Sequence, residues 1–271
     1  MVPFLAFAFF FMILPASTLV VGAFQDSQGG FTLQHILDLR QRFILEAYRN
    51  SIQVSVVTAV VGALFGFLLA YAITLGGVPP FVRGMVITFA GVASNFAGVP
   101  LAFAFISTLG RTGIITGLFK SAGLDLYRMG FDLYTFAGLS LTYLYFQFPL
   151  MILIMAPALD GLKREWREAS ENLGASGLQY WRHVAMPILL PSILGTMVLL
   201  FGNAFGAYAT AYALTGGTLD LVTLMIGTQI RGNVLYDPGL GYALAVGMVV
   251  IMAFSIGVYS WLQRRSERWL R

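Results

Sequence analysis

Glu168-Ala169-Ser170-Glu171-Asn172-Leu173-Gly174, nine further residues, then Val184-Ala185-Met186-Pro187: this charged island between two long apolar segments decides how the chain is read. Leu162, Trp166, Ala169 and Leu173 fall at i, i+4, i+7 and i+11, one stripe of an α-helix. Lys163, Arg164, Arg167, Glu168 and Glu171 cover the other faces. Arg164 with Glu168 and Arg167 with Glu171 are i,i+4 pairs, each worth about 0.3 kcal/mol. Gly174 follows the last periodic residue, where a left-handed C-terminal cap is expected. Ser176 can cap a second short helix from Gly177 to about Val184. Pro187 and Pro191 then bracket the start of the next apolar run. The pattern predicts two short helices with a glycine corner over 160–187, lying with their apolar stripes against a membrane face.

Outward from this island the composition is that of a bilayer protein. The 271 residues are 58% hydrophobic and 10% charged, with a mean hydropathy of +0.80. A soluble domain carries about a quarter charged residues. There is no cysteine, which excludes disulfides, thiol catalysis and Cys-based metal sites. His35 and His183 lie outside the apolar runs, and neither has a cluster of ligating or catalytic partners.

No Asp, Glu, Lys or Arg occurs in 1–25, 50–82, 84–110, 133–159, 183–219 or 238–263. A helix needs about 20 apolar residues to cross the hydrocarbon. Trimmed at turn signals, the windows predict six spans: 2–24, 51–75, 85–109, 135–158, 188–213 and 241–262. The expected architecture is all-α, one transmembrane domain over 1–271. A buried charge at the bilayer centre costs several kcal/mol, which explains why the charges avoid these windows. The first window lacks a basic flank and is longer than a signal-peptide core, so it is expected to stay as the first span.

Between spans, 36–46 reads as an amphipathic stretch leading into span two, and 76–83 as a tight turn. A short helix is expected within 110–134 and an apolar helical segment over 221–230. Gly62 with Gly66, and Gly202 with Gly206, have the small-xxx-small spacing that lets helices approach closely.

Six spans place both termini on one side. That side holds Arg83, Lys163, Arg164, Arg167, Arg182, Arg264, Arg265, Arg268 and Arg271, nine basic residues against five acidic ones. The other side holds seven of each. The positive-inside rule makes the first side cytoplasmic, with the termini and the 160–187 loop. Trp261 and Trp269 are expected as interface anchors.

The island resembles the signature loop of binding-protein-dependent type I ABC importer permeases, which reads E-A-A, three residues, G, nine residues, I-x-L-P. Glu168, Ala169, Gly174 and Pro187 stand at matching places. Ser170 replaces the second Ala, and Val184 and Met186 replace Ile and Leu, all conserving size or apolarity. Asn50-Ser51 at the start of span two, Leu173-Gly174-Ala175-Ser176, Arg182 and Pro187-Ile188-Leu189-Leu190-Pro191 extend the likeness over most of the chain. The polyamine (spermidine/putrescine) permeases are the group it most resembles, with ferric iron, thiamine, phosphonate and sulfate permeases close by. The family's charged N-terminal tail is missing here, which leaves the true start of the chain open.

The resemblance implies a pore-forming subunit in a bacterial inner membrane, not an enzyme. Its partners would be two ATPase subunits, which bind the ATP and Mg, a second permease (a homologue or a copy) and an extracytoplasmic binding protein. It implies no cofactor in this chain and no nucleic acid. Glu168, Ala169, Ser170, Gly174 and Pro187 would form the elbow that meets the ATPase. The chain lacks a Walker A motif.

With no charge inside the spans, the substrate pathway is expected among polar residues there. These are Ser94 and Asn95; Tyr143, Tyr145 and Gln147; and Asn203, Tyr208 and Tyr212. Tyr faces suit a cationic substrate, although Asn and Gln in spans also serve as bonds between helices. A secondary transporter would show intramembrane ionisable residues or paired broken helices, and a membrane enzyme would show a cluster of catalytic side chains.

Overall fold

A computed structural model of the chain describes residues 2–26, 28–231 and 237–267, without the side chains of residues 2 and 265–267. Arg268, Trp269 and Arg271 of the C-terminal cluster lie outside the described residues.

In chain order the helices are α1 (Val2–Ala8), a π-helical turn (Phe9–Ile13), α2 (Leu14–Ala23), α3 (Gln34–Asp38) and α4 (Arg42–Leu75). There follow α5 (Pro80–Ala93), α6 (Gly98–Leu109), α7 (Ile114–Ser121), α8 (Phe136–Asp160), α9 (Arg164–Asn172) and α10 (Gly177–Tyr180). A second π turn (Trp181–Ala185), α11 (Met186–Phe205), α12 (Ala209–Thr215), α13 (Val222–Arg231) and α14 (Pro238–Glu267) complete the chain. The β-structure among the described residues is one isolated bridge, Gln25 with Phe31.

Six helical segments among the described residues are long and apolar enough to span a membrane, the number expected. Two of the expected spans differ. The 85–109 span is two helices, α5 and α6, separated at Ser94–Ala97. Ala97 is extended and Gly98 has φ +74°, a conformation that costs side-chain-bearing residues energy. Pro100 cannot donate to a helix continuing from α5 but fits the first turn of α6. The spanning segment is therefore Gly98–Ser121, and Pro80–Ala93 is a shorter apolar helix. The 188–213 span ends early as well, since α11 stops at Phe205 and α12 starts after Gly206-Ala207-Tyr208. The amphipathic 36–46 stretch is shared between α3 and the start of α4, while the helices expected within 110–134 and over 221–230 are α7 and α13.

The chain forms two compact units, Met1–Ile52 with Asp220–Phe254, and Gln53–Leu219 with Ser255–Arg271. In the first, glycines of α14 make room for aromatic rings. A Cβ on Gly239 would meet the His35 ring, and one on Gly247 the Tyr48 hydroxyl. Tyr48 Oη donates to the Leu244 carbonyl at 2.6 Å. The Asn50 amide donates to Asp220 O at 3.1 Å, and Ser51 Oγ accepts from Val222 N at 2.9 Å.

The second unit is built round α8, whose buried side chains include Leu139, Tyr143, Phe146, Gln147, Met151 and Met155. Helices α5 and α11 pack on it, and α6 packs along α12. Gly62 and Gly66 of α4 bring that helix close: their added Cβ atoms would lie 2.8 Å from Gln147 Cβ and 2.6 Å from Met151 Cβ. The spacing of two glycines four apart meets two α8 residues four apart, one helical turn against another. Gly206, expected as half of a packing pair with Gly202, instead caps the end of α11. Arg83 forms an ion pair with Asp160, so the 76–83 turn and the end of α8 lie at one end of the unit.

Candidate functional site

The elbow over 160–187 has the expected corner. Helix α9 ends at Asn172 and Gly174 takes φ +79°. No atom lies within 4 Å of a Cβ placed there, so conformation and not space selects glycine. Ser176 opens α10 with a reciprocal capping box: Gln179 N donates to Ser176 Oγ at 3.4 Å, and Ser176 N to Gln179 Oε1 at 2.7 Å. Arg164 pairs with Glu168 at 2.7 Å and Arg167 with Glu171 at 2.9 Å. The hydrogen bond from Arg167 to the Glu171 carboxylate pushes that guanidinium's pKa up.

The apolar stripe of the elbow, expected against a membrane face, is not covered by the rest of the chain. Leu173 is 89% exposed, Leu178 is 79% exposed, and Trp166 and Ala169 are also exposed. Of the five elbow residues singled out, Ser170 alone is buried; its hydroxyl donates to Arg167 O at 2.8 Å. Nor does the second helix end near Val184. The segment Gly177–Phe205 is one helical run, with Pro187 inside it. The π turn at Trp181–Ala185 explains how. Proline has no N–H and its ring clashes with the carbonyl four residues back. One extra residue in the preceding turn widens it, and Met186 N donates to Trp181 O instead. Trp181 stacks edge-on with Tyr71 of α4, ring centroids 5.1 Å apart.

The second constellation sits at the paired helix breaks. Asn95 is exposed at the first break, its amide donating to Gly91 O at 2.9 Å. The Tyr145 ring of α8 is half-buried between Phe96 and Phe105, edge to face at 6.0 Å from each. At the second break, Tyr143 Oη donates to Ala207 O at 2.9 Å, and Tyr208 stacks on Tyr212. Gly98 N–H donates to Thr210 Oγ1 at 2.7 Å. Of the pathway candidates, Ser94, Asn95, Tyr143, Tyr145, Tyr208 and Tyr212 therefore lie at or beside the breaks. Asn203 is exposed one turn earlier on α11.

Gln147 makes its bonds away from the breaks. It is fully buried, and its amide donates to Leu200 O at 2.9 Å and to Thr58 Oγ1 at 3.5 Å. It ties α4, α8 and α11 together. Thr210 was missed by the sequence reading; a threonine just after a Gly-Ala-Tyr interruption carries little signal alone.

Among the described residues no group of three or more His, Asp or Glu is arranged to hold a metal. The chemistry on offer is contact: an apolar elbow outside the helix bundle, and unwound backbone with aromatic walls within it.

Residues 51–268 match the model of the binding-protein-dependent transport system inner membrane component family. The chain belongs to that family. It is a transport component with the fold of importer permeases, and in such systems ATP hydrolysis is done by a separate subunit. Its relatives include the ferric transport system permease protein FbpB of Actinobacillus pleuropneumoniae, 24% identical over 263 residues, 95% of this chain and 37% of that protein. The sulfate transport system permease protein CysW of Synechococcus elongatus is 23% identical over 260 residues, covering 95% and 86%. A bacterial ABC transporter that imports alginate matches in structure with a TM-score of 0.75 at 17% identity, covering 97% of this chain and 93% of that one. This chain thus spans little more than a third of the ferric relative but most of the sulfate one.

Proposed function

We propose that the chain is the pore-forming subunit of an ATP-driven importer. In that role it works as a single transmembrane domain with both termini and the elbow in the cytoplasm. The observation that carries the coupling role is the uncovered apolar face of the elbow. Leucines 89% and 79% exposed on a loop between spans need a partner. A groove on an ATPase subunit fits them, with Glu168 meeting a basic group, Ala169 and Ser170 allowing close approach, and Gly174 making the corner. ATP-driven closure of two ATPase subunits would move two such elbows, one from this chain and one from a second permease. That second permease is a homologue or a copy of this chain.

A binding protein would deliver the solute to the opposite face. The relatives named above are ferric and sulfate permeases, and neither is a polyamine permease. They turn the proposed substrate from a polyamine to an inorganic ion of the ferric or sulfate kind. Asn95, Tyr145 and Tyr208 at the helix breaks are the proposed pathway residues, with Asn203 beside them. The test is ATP-dependent uptake into proteoliposomes holding this chain, its ATPase, its second permease and its binding protein. Labelled sulfate, ferric iron and putrescine would be compared. Uptake of one inorganic ion supports the proposal; uptake of putrescine alone restores the polyamine assignment; ATP-independent uptake refutes the importer role.

A further inference from the structure

Outside the elbow and the helix breaks, charge gathers once more in the α7–α8 region. Arg111, Lys120, Asp125, Arg128 and Asp132 line an open cavity of about 560 Å³ together with Thr116. Two of the cations are held in place. Arg111 lies 3.3 Å from Asp132 and over the Tyr127 ring at 5.6 Å, and Arg128 lies 3.4 Å from Asp125. Lys120 has no carboxylate at ion-pair distance among the described residues. Three cations face two carboxylates.

The second observation is Thr116. It is 4% exposed, lines the cavity, and its hydroxyl has no hydrogen-bond partner. Thr58, Thr108, Thr142, Thr196 and Thr215 all return their hydroxyl protons to the carbonyl four residues back. Thr116 stands in the first turn of α7, so the residue four back, Thr112, lies before the helix. A buried hydroxyl left unpaired costs about 1–3 kcal/mol. Its proton and the uncommitted Lys120 ammonium are both donors, and both line one cavity.

We propose that this cavity binds an oxyanion of the phosphate class. The Lys120 ammonium and Thr116 hydroxyl bond its oxygens, while the anchored Arg111 and Arg128 supply field and spare N–H donors. Helix α7 also exposes Ile114 and Leu118, at 69% and 64%, on the side of the helix away from Lys120. An apolar face opposite a cationic one is the arrangement of a helix lying at a membrane interface. The phosphate of a lipid head group and a free inorganic anion offer the same chemistry, and two experimental arms separate them.

The full chain, purified in a zwitterionic detergent, is titrated with sodium phosphate and followed by equilibrium dialysis with labelled phosphate. In parallel, phosphatidylglycerol is added and its retention counted by native mass spectrometry. Lys120→Gln and Thr116→Val should each weaken the bound species about tenfold, with Arg40→Gln as the control that leaves it unchanged. Thr116→Val should also raise or preserve the melting temperature of the ligand-free protein, because it deletes an unpaired buried donor. Saturable phosphate binding identifies a free-anion site, and lipid retention alone identifies a head-group site; either upholds the assignment. Binding of neither, or equal binding by the two variants and wild type, overturns it.

Discussion

The backbone N–H of Gly98 donates to the hydroxyl of Thr210 at 2.7 Å, so the first turn of α6 is tied to the first turn of α12. Both helices begin just after a break, and the bond spans the two interruptions. In the proposed pore this bond would couple the two breaks, and its loss can be measured.

Thr210→Val should destabilise the chain by about 1–2 kcal/mol, because it strands a part-buried N–H while keeping the side-chain shape. Thr215→Val is the control. Its hydroxyl only returns to Ala211 O within its own helix, at 2.8 Å, and its removal should cost under about 1 kcal/mol. Thermal unfolding in detergent measures both, and equal shifts would remove the special role of the cross-break bond.

Gly66→Ala should cost about 1–3 kcal/mol by overpacking, since the new carbon would sit 2.6 Å from Met151 Cβ and 3.0 Å from the Phe148 carbonyl. Gly91→Ala has open space and should stabilise α5 by about 0.5–1 kcal/mol through helix propensity. Opposite signs in the same melting assay are the expected outcome.

Gln147→Leu should stay within about 1 kcal/mol of wild type, since it removes an amide whose Oε1 has no partner. Uptake should persist. Gln147→Glu should fail to accumulate, because a buried carboxylate has no cation near it. Loss of uptake in a stable Gln147→Leu protein would return this residue to the pathway.

Leu173→Ser and Leu178→Ser should leave the melting temperature unchanged, their side chains being exposed within the chain. Both should reduce co-purification with the ATPase. Gly174→Ala should cost about 1 kcal/mol from its φ of +79° alone. Gly174→Asp and Glu168→Lys should abolish uptake while the protein still reaches the membrane. Uptake at wild-type rate by either would count against the coupling role.

Charge avoidance made α4, α8 and α14 legible, because a hydrocarbon core penalises ions more than any packing detail does. The breaks were not legible by that criterion, since Ser94–Ala97 and Gly206–Tyr208 carry no charge. Gly98-Val99-Pro100 was the available sign of a helix start. In the elbow, the glycine corner and the serine cap follow from local backbone chemistry and are readable in the sequence. The direction in which the apolar stripe faces depends on tertiary placement, and no period in the sequence encodes it. Gln147 shows the same limit from inside the bundle, for an amide in a span has the same letter whether it faces a solute or a neighbouring helix.

The five residues from Trp181 to Ala185 close one turn, which about four residues close in an α-helix. The extra residue is taken up inside that turn, so removing it would return the clash of the Pro187 ring but leave the helix on the N-terminal side facing roughly as it does now. A residue removed from the regular winding after Met186 would instead swing Leu178 by about 100°. The widened turn is thus the one stretch of this helix where the chain length can change with little re-aiming of the proposed elbow.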